Sequence, residues 1–382
     1  MDKSAKSKFQ MKLRIGINVS LVLSLTFLLN YGLSGPVLAQ SSTKSLSAPS
    51  PGTAGELPVS LQNLAGTGNS QAQFEIATRY THGYGVPQNY KLAAMWFLRA
   101  AEQGHVESSR LLGDLHATGY GVTQDYNEAA LRYEFAAING NMFAQHSLAL
   151  LHEKGLIPQA EGKKAFRYYK LAAQQGYADS QTNLGVLYQE GKIVPQDYKK
   201  AHQWYLRAAT QNDSRAQNNL GTLYAKALGV QQDYSQAAKW YKLAANNGLA
   251  NAMTNLGVLY ENGFGVRLDE EEAKKWYRKA GNLSDLKSNS GQKSSPSDSL
   301  SSIESEANSG NPSAQYKLGQ LYIEGRSVPQ DFVIAYKWIN LAAFRNWADS
   351  RELRDQLTKK MTPDQVNEAQ ALSIKSLNIV EP

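Results

Sequence analysis

Ala216-Gln-Asn-Asn-Leu220-Gly221-Thr-Leu-Tyr224, a glycine-bearing loop, then Asp233-Tyr-Ser-Gln-Ala-Ala-Lys-Trp240-Tyr241-Lys-Leu-Ala244-Ala245-Asn-Asn-Gly248: this stretch decides the fold. Displaced by 36 residues it returns on both sides. Leu220-Gly221 answers to Leu184-Gly185 and Leu256-Gly257, and Trp240-Tyr241 to Trp204-Tyr205 and Trp276-Tyr277. A constant period of this size is the mark of a repeat solenoid. Within one unit, Ala216, Leu220, Leu223 and Tyr224 recur at steps of three and four, which predicts a helix with one apolar face. Ala237, Trp240, Tyr241, Ala244 and Ala245 predict a second helix. Small residues on each helix admit rings from the other, so the pair is expected to close as a tight hairpin, with Gly221 allowing the approach.

The helix ends carry their own signals. Asp233 with Gln236, Asp125 with Glu128 and Asp269 with Glu272 have capping-box spacing. Asp197 and Asp331 can cap without the reciprocal partner. Gly104, Gly140, Gly176 and Gly248 fall in register just past the second helix, where a left-handed residue ends the run. Asn212 and Asn346 take that place in two units, Asn being the next most tolerant residue.

These residues resemble the Sel-1-like repeat family, relatives of the tetratricopeptide hairpins. The shared pattern is Ala-x3-Leu-Gly-x2-Tyr, Gly-x-Gly-Val, then Asp-x3-Ala-x2-Trp-Tyr-x2-Ala-Ala-x2-Gly, and it covers roughly residues 57–375 apart from one insert. The resemblance implies an all-α, α/α superhelical solenoid of about seven hairpins that binds proteins or peptides, often in an exported or cell-envelope setting. With no cysteine in the chain, the disulfides of the family's cysteine-rich branch do not carry over, and thiolate zinc sites are excluded.

Around this core the chain divides as follows. Residues 1–39 read as a secretory signal: Lys3, Lys6, Lys8, Lys12 and Arg14, an apolar run from Ile15, and Val37-Leu38-Ala39 before a cut at Gln40. The alternative is an uncleaved membrane anchor, the one membrane contact expected. The 382-residue chain carries net charge +7; losing the segment removes five basic residues and one acidic one and leaves 35 against 32, a net +3. Nucleic acid is therefore not an expected partner. Residues 40–56 are a flexible linker. Residues 57–281 hold a capping helix and repeats one to six, 282–302 a serine-rich disordered insert, and 303–382 repeat seven with closing helices. The closing helix begins Thr362-Pro-Asp-Gln365, an N-cap, an N1 proline and a capping-box glutamine.

Candidate chemistry is sparse. The Gly-x-Gly-Val loops lie between helices and lack the lysine of a phosphate loop. His116 and His152 stand where other repeats have Tyr, which makes them core residues and not metal ligands. Ser41-x-x-Lys44, Ser284-x-x-Lys287 and Ser290-x-x-Lys293 match a β-lactam-enzyme motif in low-complexity sequence without companions. The columns of Trp96, Trp204, Trp240, Trp276 and Trp338, and of Tyr188, Tyr224, Tyr260 and Tyr322, are expected as inter-helix core. Asn183, Asn219 and Asn255 are expected to bridge successive hairpins.

The expected binding row faces away from each hairpin's own core, two residues before and two after the Leu of Leu-Gly. It comprises Arg110, Asp114, His146, Leu150, Thr182, Val186, Asn218, Thr222, Thr254, Val258, Tyr316 and Gln320, with Gln189, Ala225 and Glu261 one turn on. In tetratricopeptide-like stacks such a row lines a concave groove. Small polar residues beside Val and Leu suit an extended peptide; packing between neighbouring first helices is the alternative, and the sequence leaves both open. The expectation is thus an exported bacterial scaffold, periplasmic or secreted, without catalytic residue, metal or cofactor. An envelope enzyme or binding module acting on peptidoglycan or β-lactam, and a secreted effector engaging host proteins, stand as alternatives.

Overall fold

The computed structural model describes residues 57–285, 300–347 and 349–377. The signal and linker segments, most of the serine-rich insert and the Ser-x-x-Lys lysines lie outside them. Eighteen helices and no strand occupy the described residues, and none of these helices is long and apolar enough to cross a membrane. The chain forms two compact units.

One unit takes residues 140–285 and holds repeats three to six. The other takes residues 57–139 and 300–377. In chain order the helices are α1 (Val59–Gly66), α2 (Ser70–His82), α3 (Tyr90–Glu102), α4 (Val106–Thr118) and α5 (Tyr126–Ile138). Then come α6 (Met142–Glu153), α7 (Gly162–Gln174), α8 (Ala178–Glu190), α9 (Tyr198–Ala209), α10 (Ser214–Lys226), α11 (Tyr234–Asn246), α12 (Ala250–Asn262) and α13 (Glu270–Asp285). After the insert follow α14 (Leu300–Asn308), α15 (Pro312–Glu324), α16 (Phe332–Phe344), α17 (Ser350–Thr358) and α18 (Pro363–Ser376). Each repeat pairs two consecutive helices, and in each unit the second helix of one repeat packs on the first helix of the next.

The hairpin closes by seating a ring on a glycine. A Cβ on Gly185 would lie 2.5 Å from the Tyr205 ring, on Gly221 2.7 Å from Tyr241, and on Gly257 2.6 Å from Tyr277. The deepest aromatic is thus the Tyr after the Trp: Tyr205 and Tyr241 are fully buried. The tryptophans divide. Trp276 and Trp338 are buried, while Trp96, Trp204 and Trp240 are half-buried. Arg99, Arg207, Lys279 and Lys337 lie over the rings of Trp96, Trp204, Trp276 and Trp338. Leu184, Leu220 and Leu256 share one environment, each wholly buried.

Successive repeats are joined by two devices the sequence reading did not anticipate. A glutamine just after the conserved small residue is buried and reaches back eight residues: Gln181 Nε2 donates to the Ala173 carbonyl at 3.1 Å, and Gln217 Nε2 to that of Ala209 at 3.2 Å. Its own oxygen accepts from an amide 30 residues on, Gln211 to Gln181 at 2.9 Å and Asn247 to Gln217 at 3.2 Å. The second loop glycine presses on the preceding repeat. A Cβ on Gly229 would meet the Tyr198 carbonyl carbon at 2.6 Å, and on Gly265 that of Tyr234 at 2.2 Å.

The helix ends follow their signals in part. Gly104, Gly140, Gly176, Gly248, Asn212 and Asn346 all have positive φ. Asp125, Asp233 and Asp269 cap with the side chain. The full reciprocal box forms at Thr362 and Gln365.

The second unit joins both ends of the repeat region. Helices α17 and α18 cover α16 and also reach the loops of repeats one and two. Asn367 Oδ1 accepts from the Gly121 N–H at 2.7 Å while its Nδ2 donates to the Gly119 carbonyl at 3.0 Å. Gln370 Oε1 accepts from the Tyr90 N–H at 2.9 Å, Tyr336 donates to Gln88, and Arg354 donates to the His82 carbonyl at 3.1 Å. One apolar core therefore runs from Leu112 and Leu115 to Ile339, Leu357 and Val366.

Gly221→Ala should destabilise the chain by about 1–3 kcal/mol despite alanine's better helix propensity, because the methyl must displace the Tyr241 ring. The urea midpoint reads it; an unchanged or higher midpoint would contradict the ring-on-glycine closure.

Candidate binding face along the first helices

In the unit of repeats three to six, α6, α8, α10 and α12 carry the predicted row, held at constant register by the Leu and the Gly, or Ala149 in α6, beneath it. From α8 to α12 the position two before the Leu becomes more open. Thr182 is buried and its hydroxyl lacks a hydrogen-bond partner, Asn218 is half-buried, and Thr254 is exposed. The cause is the next repeat: Asn255 Nδ2 donates to Asn218 Oδ1 at 3.0 Å, so the following first helix bridges this position. Repeat six is the last of its unit, which leaves Thr254 uncovered. Leu150, Val186 and Val258 are half-buried, each at the margin of a core cluster.

Beside the row the hydroxyls of the core tyrosines, buried or half-buried, pair with acceptors on the first helices. Tyr169 donates to Glu153 at 2.5 Å, Tyr205 to Gln189 at 3.1 Å and Tyr277 to Glu261 at 3.1 Å. The acceptor in each case lies five residues after the Leu. Repeat five has Ala225 there, and Tyr241 instead pairs with Thr222 at 3.1 Å. Asn183 and Asn219 oppose the burial-driven rise in the pKa of Tyr169 and Tyr205 in the preceding repeats. Of the asparagine ladder, Asn255 bridges to the preceding repeat through Asn218. The face presents hydroxyls, amides and two carboxylates at helix-repeat spacing, interleaved with Val186 and Val258. Such a surface can hydrogen-bond an extended backbone and receive small apolar side chains.

His146 is half-buried on α6. Its Nδ1 lies 2.8 Å from Ser180 Oγ, and it packs against the Tyr169 and Tyr177 rings. Desolvation holds its pKa down at about 4, opposed by Asp179 and reinforced by Arg215 and Lys154.

The remaining members belong to the other unit, and two of them correct the sequence reading. Arg110 is wholly buried and Asp114 nearly so. Arg110 Nη1 donates to Asp114 Oδ2 at 2.6 Å, its Nη2 to Glu107 at 2.6 Å, and Tyr133 donates to Asp114 Oδ1 at 2.7 Å. These charges are buried on α4 and do not line an open face. Burial raises the Asp114 pKa, with Arg110 and Tyr133 opposing. The carboxylates and the Glu107 hydrogen bond hold the guanidinium charged against its own desolvation. Tyr316 is half-buried against the mixed core, and Gln320 is half-buried. This unit also has an open cleft of about 630 Å³ between the repeat-two loop and α18, lined by Asn89, Lys91, Gly121, Gln124, Asp364 and Asn367. His152 stacks on Tyr168 and is buried. Among the described residues no three His, Asp or Glu converge as a metal site would require.

The Sel1 repeat model matches seven segments, residues 70–105, 106–141, 143–177, 178–213, 214–249, 250–285 and 312–343. No curated protein matches the chain. A protective antigen of uropathogenic Escherichia coli with an SLR fold is 31% identical, with a TM-score of 0.56, over 83% of this chain and 62% of the antigen. The chain thus spans less than two thirds of that protein. A Sel1 repeat protein of Oxalobacter formigenes is 30% identical, with a TM-score of 0.52, over 58% of this chain and 98% of the other.

Arg110→Met should cost about 3–5 kcal/mol, since it strands the Asp114 charge, and Arg110→Met with Asp114→Leu should recover much of the loss. A double variant no more stable than the single in urea titration would refute this. His146 makes the fold pH-sensitive with a definite sign. Its folded pKa lies below the unfolded value near 6.5, so its contribution is complete above pH 6.5 and is lost as pH falls toward 4. The loss should be about 2 kcal/mol, and His146→Gln should flatten the stability–pH curve over that window.

Proposed function

Because the chain belongs to the Sel1 repeat family, whose members in general act as protein-interaction scaffolds, we propose that it is an exported, non-enzymatic adaptor. It holds an extended segment of a partner protein along α8, α10 and α12. The observation that carries this reading is the partly open row on those helices. Thr254 is exposed, Val186 and Val258 are half-buried, and the half-buried Thr222 hydroxyl and the Asn218 and Asn255 amides are fixed between them. Rigid donors and acceptors lower the ordering cost of binding, so modest contacts suffice for capture. Export is supported by the basic start, apolar run and small residues of 1–39.

One experiment addresses both parts. A photo-activatable residue at Thr254 in the full chain, expressed in cells, should cross-link a partner, whereas the same residue at Lys242 on the second-helix side should not. Val186→Ser with Val258→Ser should cut the cross-linked yield by about tenfold while the chain keeps its helical circular dichroism and a cooperative melt. The cross-linked chain should carry Gln40 as its N-terminus and be recovered outside the cytoplasm. An unchanged yield counts against the first-helix face, and an intact N-terminus in the cytoplasm against export.

A further inference from the structure

The second helices of the same unit carry mostly positive charge. Helices α7, α9 and α11 together contain nine Lys or Arg and no Asp or Glu, while α13 opens on Glu270, Glu271 and Glu272, the last paired with Lys275 at 3.1 Å. The cations are aligned by the 36-residue register. One exposed column runs Arg167, Gln203, Lys239, Lys275. The next runs Lys170, Leu206, Lys242, Arg278. The third runs Leu171, Arg207, Leu243, Lys279. All twelve positions are exposed; eight are cations, three are leucines, and none is an acid. The net charge of +3 outside residues 1–39 conceals this concentration. In the other unit, repeat two has Leu131, Glu134 and Phe135 at the corresponding places, so the basic face is confined to repeats three to six.

The leucines separate this face from an ordinary solvated one. Leu171, Leu206 and Leu243 are 37%, 38% and 46% exposed, each set among cations. Arg207 lies 4.5 Å from the centre of the half-buried Trp204 ring, which brings an amphipathic ring to the same surface, and Lys279 lies 4.3 Å from the ring of the buried Trp276. Cations with interleaved Leu and Trp are the composition that binds the boundary between headgroups and acyl chains. A nucleic acid backbone would use the cations but leave the leucines in water. The charge is also spread over four helices and not gathered at one point, which suits a laterally mobile anionic surface. We propose that the second-helix face of repeats three to six docks on a bilayer rich in anionic phospholipid, turning the first-helix face outward to its partner.

The test is partition of the full chain onto vesicles of phosphatidylcholine alone and of phosphatidylcholine mixed with phosphatidylglycerol. The wild type should prefer the anionic vesicles, and the preference should fall with added salt. Arg167→Glu, Lys170→Glu, Lys239→Glu and Lys242→Glu together should reduce anionic binding on the order of hundredfold with the circular dichroism melt unchanged. Residues 1–39 are the same in both chains, so the difference reads this face alone. Replacing Leu171, Leu206 and Leu243 by Ser should weaken anionic binding by about tenfold. Arg167→Gln with Lys239→Gln serves as the milder variant if the reversal disturbs folding, and should give an intermediate loss. Equal partition of wild type and charge variants overturns the proposal. So does binding to double-stranded DNA as tight as to anionic vesicles and insensitive to the leucine substitutions, which would mark a general polyanion surface.

Discussion

A phenol ring lying on a bare α-carbon sets the geometry of repeats two, four, five and six. There the position beside the buried leucine has no Cβ, and the ring that fills the space fixes how far the second helix rotates; repeats one and three have Ala77 and Ala149 at this place, packed with Phe97 and Tyr169. Once rotated, its alanines face inward and its lysines outward. The same ring directs its hydroxyl to the end of the first helix, where Glu153, Gln189 or Glu261 receives it. A core contact thereby dictates the placement of polar groups on the binding face. Where the pair departs from Gly and Tyr, as at Gly319 and Ile339, close approach persists but the hydroxyl is lost.

Stacking is held by polar bolts as well as apolar contact. The buried glutamine amides join three helices at each junction, one carbonyl eight residues back and one amide 30 residues ahead. A buried amide satisfied on both sides is favourable only in the correct register, so it penalises slippage of one hairpin on the next. Repeat six has Met253 at this position, and repeat two has Ser109. Repeat seven keeps the device through Gln315, which donates to the Ala307 carbonyl and accepts from Arg345.

The unit built from both ends of the repeat region shows what periodicity conceals. Asn367 reads two backbone groups of a repeat-two loop, and Gln370 caps the start of α3. A stack open at its ends would expose apolar faces to water. Here the closing helices of repeat seven share their core with repeats one and two.

Much of the fold was legible in the residues. The 36-residue period, the capping aspartates, the left-handed glycines and asparagines and the closing Thr-Pro-Asp-Gln all act within one or two helical turns, so their consequences follow from local stereochemistry. The candidate face was legible in part. Thr254, Val186 and Val258 are accessible as their register implied, but Thr182, Arg110 and Asp114 are enclosed. Helical register gives a side chain's direction and says nothing of what stands in front of it. Tertiary packing alone decided that Asn218 is bridged by Asn255, that Arg110 is sealed with two carboxylates, and that Tyr336 meets Gln88 across 248 residues. Such contacts depend on where whole helices come to rest, and that is the sum of many weak burials which leave no periodic trace in the chain.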